Sequence, residues 1–218
     1  MAKYEGKDHY LDPETGVLKN KLGLTDEEEL KEAEASLAAW RSFQLANSPI
    51  KGRFDLDHLK AIHKHLFCDV YEWAGELRNI DLAKENSYFA NHKHIVSAAR
   101  PVFEKLADEG YLKGVDAAAF SARAAYYLGE INALHPFREG NGRAQREFIN
   151  HLAYRNGYFI EWKNITQKEM IQASVESFHH ADNTKFAAFI RDNLRELPAS
   201  DPVKTTPIKK TRNRFEPG

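Results

Sequence analysis

Twelve consecutive residues in the second half of the chain combine side chains that could bind phosphate and move a proton. They are His135-Pro136-Phe137-Arg138-Glu139-Gly140-Asn141-Gly142-Arg143-Ala144-Gln145-Arg146. Pro136 disfavours helical geometry at His135, so one helix is expected to end there and the next to begin near residues 141–143. Gly140 and Gly142 allow positive φ, which lets the loop turn backbone amides inward. A loop of this kind leading into a helix N-terminus is suited to binding an anion.

The charged side chains of this segment predict transfer of a phosphate-linked group. Arg143 and Arg146 are three residues apart on the expected helix, so they share a face and can clamp a polyphosphate. Glu139 offers a hard oxygen ligand for Mg²⁺, with phosphate oxygens completing the coordination. The imidazole of His135 can take a proton from a hydroxyl. These are the parts that phosphoryl or nucleotidyl transfer needs. The alternative is a glycine turn with solvated arginines and a surface histidine.

The elements that must position this segment are mostly helices. Apolar residues at steps of three and four predict helices that begin at or near Thr25, Asp55, Ile95, residue 116, residue 141, Thr166 and Phe186. Thr25 and Thr166 are each followed three residues later by a glutamate, which is the spacing of a capping box. Trp40 falls on the apolar side of the first helix. Pro101 is expected to kink or divide the third.

One stretch departs from the helical period. Residues 77–82 alternate at Ile80 and Leu82, and 84–87 supply turn residues before Tyr88. This pattern predicts a short β-hairpin in an otherwise helical protein.

Composition limits the function classes. The chain has 218 residues and a formal net charge of −1, so it has no bulk basic field and no specific nucleic-acid partner is expected. The single Cys68 excludes a disulfide framework. No apolar run is long enough to cross a bilayer, and the charged first twenty residues show no secretory signal. His58, His63 and His65 are interpreted as surface or capping residues.

Residues 135–146 resemble the signature of Fic-domain proteins, H-x-F-x-[D/E]-G-N-G-R-x-x-R, at every specified position. The hairpin, the YEWAGELR segment at 71–78 and the helical organisation also fit. The chain most resembles bacterial Fic toxins and the amino-terminal Fic domains of type IV-secreted effectors of the Bartonella kind. The fold this implies is mainly α, a Fic-type helical bundle with a short β-hairpin flap over the active-site loop.

The expected division of the chain has three parts. Residues 1–24 would be an N-terminal extension, and 25–197 the Fic domain, with its flap at about 77–90 and its motif at 135–146. Residues 198–218 are basic, contain prolines and lack a helical period, so they are expected to be a linker or tail.

The resemblance implies transfer of AMP from ATP to a hydroxyl side chain of a target protein. His135 would deprotonate the target hydroxyl, and Glu139 would bind the Mg²⁺ that bridges the α- and β-phosphates. Asn141 would contact the α-phosphate, and Arg143 and Arg146 would hold the β- and γ-phosphates. The full set expected to bind ATP phosphate is Gly140, Asn141, Gly142, Arg143 and Arg146.

Two further surfaces are implied. The edge of the flap would pair with an extended segment of the target, through Asn79, Ile80, Asp81, Lys84 and Glu85. The alternative for the hairpin is simple packing over the core. Phe178 and His179, expected in the loop before the last helix, would line the adenine pocket; the alternative there is a plain turn.

One position bears on the group transferred. Relatives that phosphorylate replace the second glycine of the loop by lysine, and here that position is Gly142, which favours AMP transfer. The alternatives are transfer of phosphate, UMP or phosphocholine by the same fold, or a non-catalytic adaptor on the Fic scaffold.

Regulation and setting are also implied by the resemblance. Many relatives carry an inhibitory helix of pattern [S/T]-x-x-x-E-[G/N], which these 218 residues lack. The inhibitory glutamate is therefore expected from a separate small antitoxin that binds over the amino-terminal helices and reaches Arg146. The alternative is an uninhibited enzyme whose toxicity is limited by delivery. The target would offer a Tyr, Thr or Ser hydroxyl. The setting would be the bacterial cytoplasm, or a host or recipient cell reached through a type IV system.

Overall fold

A computed structural model describes residues 8–84 and 87–197, and most of these are helical. The seven α-helices of the described residues are α1 (Glu27–Asn47), α2 (Leu56–Phe67), α3 (Ile95–Asp108), α4 (Ala117–Leu134), α5 (Asn141–Arg155), α6 (Gln167–His180) and α7 (Thr184–Asn193). The strands are β1 (Ala83–Lys84), β2 (Ser87–Tyr88), β3 (Tyr158–Ile160) and β4 (Leu194–Glu196). Short 3₁₀ turns cover His92–His94, Gly110–Leu112 and Trp162–Asn164. The predicted mainly helical fold with a short hairpin is confirmed.

Helix α4 is the centre of the bundle. It packs against α3, α5, α6 and α7, while α2 packs against α1, α3 and α5. Asp116 caps α4 by accepting a hydrogen bond of 2.8 Å from the backbone N–H of Ala119. The middle of the helix is apolar on several sides, and Ala124, Tyr127 and Ile131 have no solvent exposure. Because α4 is fixed on several sides, the loop that follows it starts from a rigid point.

Helix α1 differs from the prediction in its cap and in its buried face. Asp26 is the N-cap, not Thr25, and its side chain accepts from the N–H groups of Glu28 and Glu29. Trp40 is 57% exposed, whereas Glu34 is buried. The apolar spacing therefore misidentified the buried face of α1. Glu34 faces the core, where residues of other elements neutralise its carboxylate, and Trp40 faces solvent.

Two other local predictions are corrected, and one small sheet was not predicted. Helix α3 continues through Pro101 and is not divided. Phe178 and His179 lie in the last turn of α6, not in a loop. The last helix ends at Asn193 because residues 194–196 form β4, which pairs antiparallel with β3 in a sheet that the sequence did not predict.

The hairpin lies within the predicted range of about 77–90, but its first strand is Ala83–Lys84 and not 77–82. β1 and β2 are two residues each and antiparallel, with Ala83 opposite Tyr88 and Lys84 opposite Ser87. Residues 77–82 do not form a strand, because hydrogen bonds from side chains hold them in place instead of the backbone hydrogen bonds of a β-sheet.

Residues 8–24 pack on the helical body. An isolated bridge joins Leu11 to Leu18, and the N–H of Lys21 donates to the carbonyl of Val70 at 2.8 Å. The tail at 198–218 and residues 1–7 lie outside the described residues, and the three-part division remains a prediction. In the described part of the chain, no helix has the length and apolarity needed to span a bilayer.

Candidate active site

The loop between α4 and α5 brings the motif together. His135 ends α4 in the left-handed conformation, with φ 43° and ψ 60°, and its N–H still donates to the carbonyl of Ile131 at 3.1 Å. Gly140 is the N-cap of α5 at φ 78°, and the helix begins at Asn141. The predicted helix boundaries on both sides of the loop are confirmed. The loop therefore presents the N-terminus of α5, where unpaired N–H groups favour an anion.

Asn141 fixes the loop from inside. Its side-chain oxygen accepts from the N–H of Phe137 at 2.9 Å, and its side-chain nitrogen donates to the carbonyl of Phe137 at 2.7 Å. Phe137 is fully buried. Both polar atoms of the Asn141 amide are thus engaged with the loop backbone, so this residue shapes the loop in addition to the phosphate contact expected of it.

His63 supports the loop from α2, whereas the sequence pattern indicated only a surface or capping role. Its ring stacks on Phe137 with centroids 3.8 Å apart. Its Nδ1 accepts from the N–H of Gly75 at 2.8 Å, so Nε2 carries the proton and donates to the carbonyl of Glu139 at 2.9 Å. Burial lowers the pKa of His63 to about 4. A neutral imidazole is therefore part of the framework of this loop. His58, for which a surface or capping role was also predicted, is buried too.

Gly140 is required by close packing as well as by its conformation. A Cβ at this position would lie 2.4 Å from the ring of Phe67, and its φ of 78° disfavours other residues. Gly142 differs, because a Cβ there would meet only Nη1 of Arg146, at 3.6 Å. Gly140 is thus required by the packing and the backbone conformation of the loop. Gly142 leaves open space beside Arg146.

Arg143 is held by residues of α1, of α2 and of the loop that precedes α5. Its Nη2 donates to Glu34 of α1, and the other carboxylate oxygen of Glu34 accepts from the hydroxyl of Tyr71. The guanidinium lies over the ring of Phe67, 4.7 Å from its centroid, and one of its nitrogens is 3.7 Å from the carboxylate of Glu139. Burial and the neighbouring Glu34 raise the pKa of Tyr71. Glu34 and Tyr71 were not singled out from the sequence.

Arg146 has a different environment from Arg143. Among the described residues, no carboxylate lies within ion-pairing distance of its guanidinium. Burial, with Arg143 nearby, lowers the pKa of Arg146. A largely buried cation without a partner anion is costly. An anionic ligand would remove that cost.

Glu139 lies at the mouth of the loop with its side chain 48% exposed. One carboxylate oxygen accepts from the N–H of Gly140 at 2.9 Å. No cluster of three or more His, Cys, Asp or Glu side chains suited to a metal occurs in the described ranges. The protein therefore offers a metal one hard oxygen ligand beside an anion-binding helix terminus. This donor set fits Mg²⁺ that arrives with phosphate oxygens.

Arg138 ties the motif to the start of the described chain. Its Nε and Nη2 donate to Asp8 at 3.0 and 2.8 Å, and both side chains are nearly buried. Nothing in the local sequence pattern pointed to this pair. Residues 8–24 are consequently in contact with the active-site loop.

The hairpin covers the imidazole of His135. The ring of Phe89, directly after β2, is stacked on it with centroids 3.8 Å apart and planes at 14°. Phe178 of α6 meets Phe89 edge to face at 5.4 Å, and His179 lies 5.2 Å from Phe178. The structure thus brings Phe178 and His179 to the flap side of His135.

The residues expected to dock the target occupy different environments. Asn79 is exposed, and its N–H donates to the hydroxyl of Tyr10 at 3.4 Å. The carbonyl of Ile80 accepts from Arg78 at 2.7 Å. Asp81 accepts from Asn91 and from the N–H of His92, each at 2.8 Å, so it closes the base of the hairpin. Lys84 belongs to β1, and Glu85 lies outside the described residues.

Comparisons with known proteins agree with the geometry. The Fic/DOC family matches residues 53–153. Protein adenylyltransferase VbhT of Bartonella schoenbuchensis is 52% identical over 198 residues, which are 90% of this chain and 41% of VbhT. The chain thus spans less than half the length of that relative. A probable protein adenylyltransferase Fic of Escherichia coli is 36% identical over 78% of this chain and 84% of its own length.

A solved structure shares the fold and holds a nucleotide. It is the BepC protein of Bartonella tribocorum, a VirB-translocated effector with bound AMPPNP. It superposes with a TM-score of 0.80 at 27% identity and covers 86% of this chain and 96% of that one. With the motif at 135–146 and the E. coli relative matched over most of its length, the chain belongs to the Fic/DOC family.

Proposed function

We propose that this protein transfers AMP from ATP to a hydroxyl side chain of a target protein. The observation that carries the proposal is that one loop joins His135, at the end of α4, to Arg146 on α5, whose guanidinium has no carboxylate within ion-pairing distance among the described residues. A base and an anion site at this separation along the chain suit a reaction between a hydroxyl and a polyphosphate. The relatives named adenylyltransferases support the choice of AMP.

The triphosphate would lie over the N-terminus of α5. The backbone N–H groups of Gly140 and Gly142 are proposed to face it, that of Gly140 in exchange for its present acceptor, the carboxylate of Glu139. Gly142 adds no side chain to obstruct the phosphates. Arg146 holds the terminal phosphates, and Arg143, oriented by Glu34, stands on the same side of the helix. Because these donors are already in place, they stabilise the negative charge that develops on the leaving group without having to reorganise.

The chemical step follows from this arrangement. The target hydroxyl oxygen forms a bond to the α-phosphorus as the bond from that phosphorus to the bridging β-oxygen breaks, and pyrophosphate leaves. His135 accepts the hydroxyl proton. The product is a phosphodiester between AMP and the target side chain.

Mg²⁺ is proposed as the metal of this site. Glu139 would hold it, and it would supply positive charge to the phosphate oxygens. The contributions of the chain itself are the orientation of Arg143 and the exposure of the Glu139 carboxylate.

Target docking is proposed at the outer edge of β1. In the described part of the chain, β1 pairs with β2 alone, so its other edge is open to a strand of the target. Asn79, Ile80, Asp81, Lys84 and Glu85 are the residues proposed for this surface. Phe178 and His179 are proposed to line the adenine pocket, because they meet the flap next to His135.

The test is transfer of label from ATP labelled at the α-phosphate, with Mg²⁺, into proteins of host and bacterial lysates. His135→Ala is the matched control, since it removes the base and leaves the phosphate site. Bands labelled by the wild type and absent with His135→Ala are expected. Transfer from γ-labelled ATP instead would identify a kinase. Absence of ATP binding would overturn the proposal.

A separate small antitoxin is proposed as the regulator, acting in the bacterial cytoplasm before any delivery through a type IV system. The outer side of α1 supports a docked partner, because Trp40 and Phe43 are stacked at 5.7 Å and more than half exposed. The inhibitory glutamate would reach Arg146, which has no carboxylate partner among the described residues. The purified chain is then expected to be active alone. An inert chain that a substitution within itself activates would contradict this.

A further inference from the structure

Arg78 lies buried between the base of the hairpin flap and the end of α4. Its side chain has no solvent exposure. The carboxylate of Asp81 is 3.9 Å from Nη1, beyond hydrogen-bond distance, and is itself 55% exposed. Burying a guanidinium without a close counterion is energetically unfavourable. The hydrogen bonds that offset this cost go to backbone carbonyls of two separate segments.

The first segment is the flap. Nη1 of Arg78 donates to the carbonyl of Ile80 at 2.7 Å, and Nη2 donates to the carbonyl of Ala90. Ile80 precedes β1 and Ala90 follows β2. One planar side chain therefore joins the two sides of the hairpin at its base.

The second segment is the start of the motif. Nε of Arg78 donates to the carbonyl of His135 at 2.8 Å, and Nη2 lies 3.4 Å from the carbonyl of Leu134. The backbone N–H of Arg78 donates to the carbonyl of Pro136 at 2.9 Å. The last carbonyls of a helix have no partner within the helix, so Arg78 caps α4 from a distant part of the chain. It also holds His135 in its left-handed conformation, which is unfavourable for a residue with a side chain.

The imidazole itself meets the same flap. Phe89, adjacent to the clamped Ala90, covers one face of the His135 ring at 3.8 Å. The N–H of Phe89 donates to the carbonyl of Leu82 at 3.2 Å, and the N–H of Ala90 donates to Ala133 at 3.3 Å. Both the backbone and the ring of His135 are thus positioned by the flap.

We propose that Arg78 is a positioning residue that couples the flap to His135. The guanidinium that closes the flap also holds the carbonyl of His135, so the flap and the base move as one unit. When the flap is paired with a strand of the target, the imidazole of His135 is directed at the target hydroxyl. When the flap is displaced, the imidazole moves away from that hydroxyl. The expected effect on kcat rests on the proposed AMP transfer. The expected joint movement of the flap and His135 rests on the structure alone.

The kinetic test compares Arg78→Lys with Arg123→Lys. Lysine keeps the charge but lacks the fork that reaches carbonyls of both segments. Arg123 lies near the start of α4 and pairs with Glu109, so it is a matched control away from the site. For Arg78→Lys we expect kcat for AMP transfer to fall about 100-fold, the effect of misplacing a reacting group by about 1 Å. KM for ATP and the affinity for a non-hydrolysable ATP analogue should stay within about twofold. An unchanged kcat would overturn the proposal.

The mechanical test measures backbone hydrogen exchange and needs no activity. In Arg78→Lys, peptides covering 79–90 and 131–137 are expected to lose protection together, while those of α7 and the second half of α5 keep theirs. Faster exchange in the flap with unchanged exchange at 131–137 would overturn the coupling. If the wild type transfers no AMP, the proposed function fails, and this experiment still decides the coupling.

A second variant keeps the test decisive if Arg78→Lys does not fold. Arg78→Gln removes the buried charge and retains two N–H donors, so it tests the fork without an unpaired cation. The same combination of retained ATP-analogue binding, lost kcat and joint loss of protection is expected. Retained kcat in a folded Arg78→Gln protein would contradict the proposal.

Discussion

The carboxylate of Glu34 on α1 joins Arg143 on α5 to the hydroxyl of Tyr71. Glu34 and Tyr71 are both buried, so the carboxylate has little access to water. A motif arginine is thus oriented by a residue more than one hundred positions away in sequence.

Glu34→Gln is expected to lower the free energy of unfolding by about 2–4 kcal/mol. The substitution removes the buried carboxylate that pairs with the partly buried Arg143 and leaves only the longer contact of 3.7 Å to the more exposed Glu139. Removing one partner is the costly way to break a buried pair. Urea denaturation of Glu34→Gln, Arg143→Gln and the double variant measures the coupling. A coupling energy of about 1–3 kcal/mol is expected, and additive single effects would contradict the pairing.

Stability is expected to fall as pH drops from about 6.5 towards 4. Burial lowers the pKa of His63 and of His151 to about 4, whereas in the unfolded chain each titrates near 6.5. In this window the unfolded state binds more protons, so unfolding becomes more favourable by up to about 1.4 kcal/mol per pH unit for each histidine. Urea unfolding between pH 7.5 and 5 measures the slope.

The control for this pH dependence is His151→Asn, which should remove part of the slope, because burial also lowers the pKa of His58 and of His65. Glu147 acts in the opposite direction, because burial raises the pKa of its carboxyl. It is present in both proteins, so the difference between their slopes reports His151 together with its neighbour His58, whose Nε2 lies 3.2 Å from Nδ1 of His151. Identical slopes would show that His151 does not contribute.

The two glycines of the loop are expected to respond differently to alanine. Gly140→Ala places a Cβ 2.4 Å from Phe67 at positive φ, and should cost about 2–4 kcal/mol of stability. Gly142→Ala has only an ordinary contact at 3.6 Å and lies in a helix, so stability should hold or rise by up to about 1 kcal/mol. Thermal melts of the pair test the contrast. Equal melting temperatures would disprove the packing argument.

Arg146→Met is expected to weaken nucleotide binding without weakening the fold. A buried cation that lacks a carboxylate partner among the described residues adds little to stability, so an apolar side chain of similar length should leave the melting temperature unchanged or higher. Loss of a charge-assisted contact to phosphate should reduce affinity for a non-hydrolysable ATP analogue about 10- to 100-fold. Calorimetric titration measures this. Unchanged affinity would exclude Arg146 from the phosphate site.

The local features of the site could be predicted from sequence because they depend on neighbouring residues. Pro136 and the glycines determine where α4 stops and α5 begins, and the charged residues lie within one short loop. The first helix cap was misplaced by one residue because Thr25 and Asp26 can both cap, and only the tertiary fold selects between them.

The supporting residues could not be predicted, because their partners are distant. His63 bonds a carbonyl 76 residues away, and Glu34 bonds an arginine 109 residues away. Neither gives a local signal: a histidine on an amphipathic helix is ordinarily a surface or packing residue, and Glu34 sits among other acidic residues. The β3–β4 pair was missed for a similar reason, since its strands have three residues each and lie on either side of α6 and α7.

The ion pair between Asp8 and Arg138 has a consequence for biosynthesis. Its members are separated by 130 residues, so Asp8 leaves the ribosome long before its partner is made. The Asp8 carboxylate is therefore without this partner through the synthesis of four helices, and the ion pair forms only when the motif itself emerges. In a nascent chain, the contact between Asp8 and the loop of the motif becomes possible later than the contacts of the same segment with Val70 and Asn79.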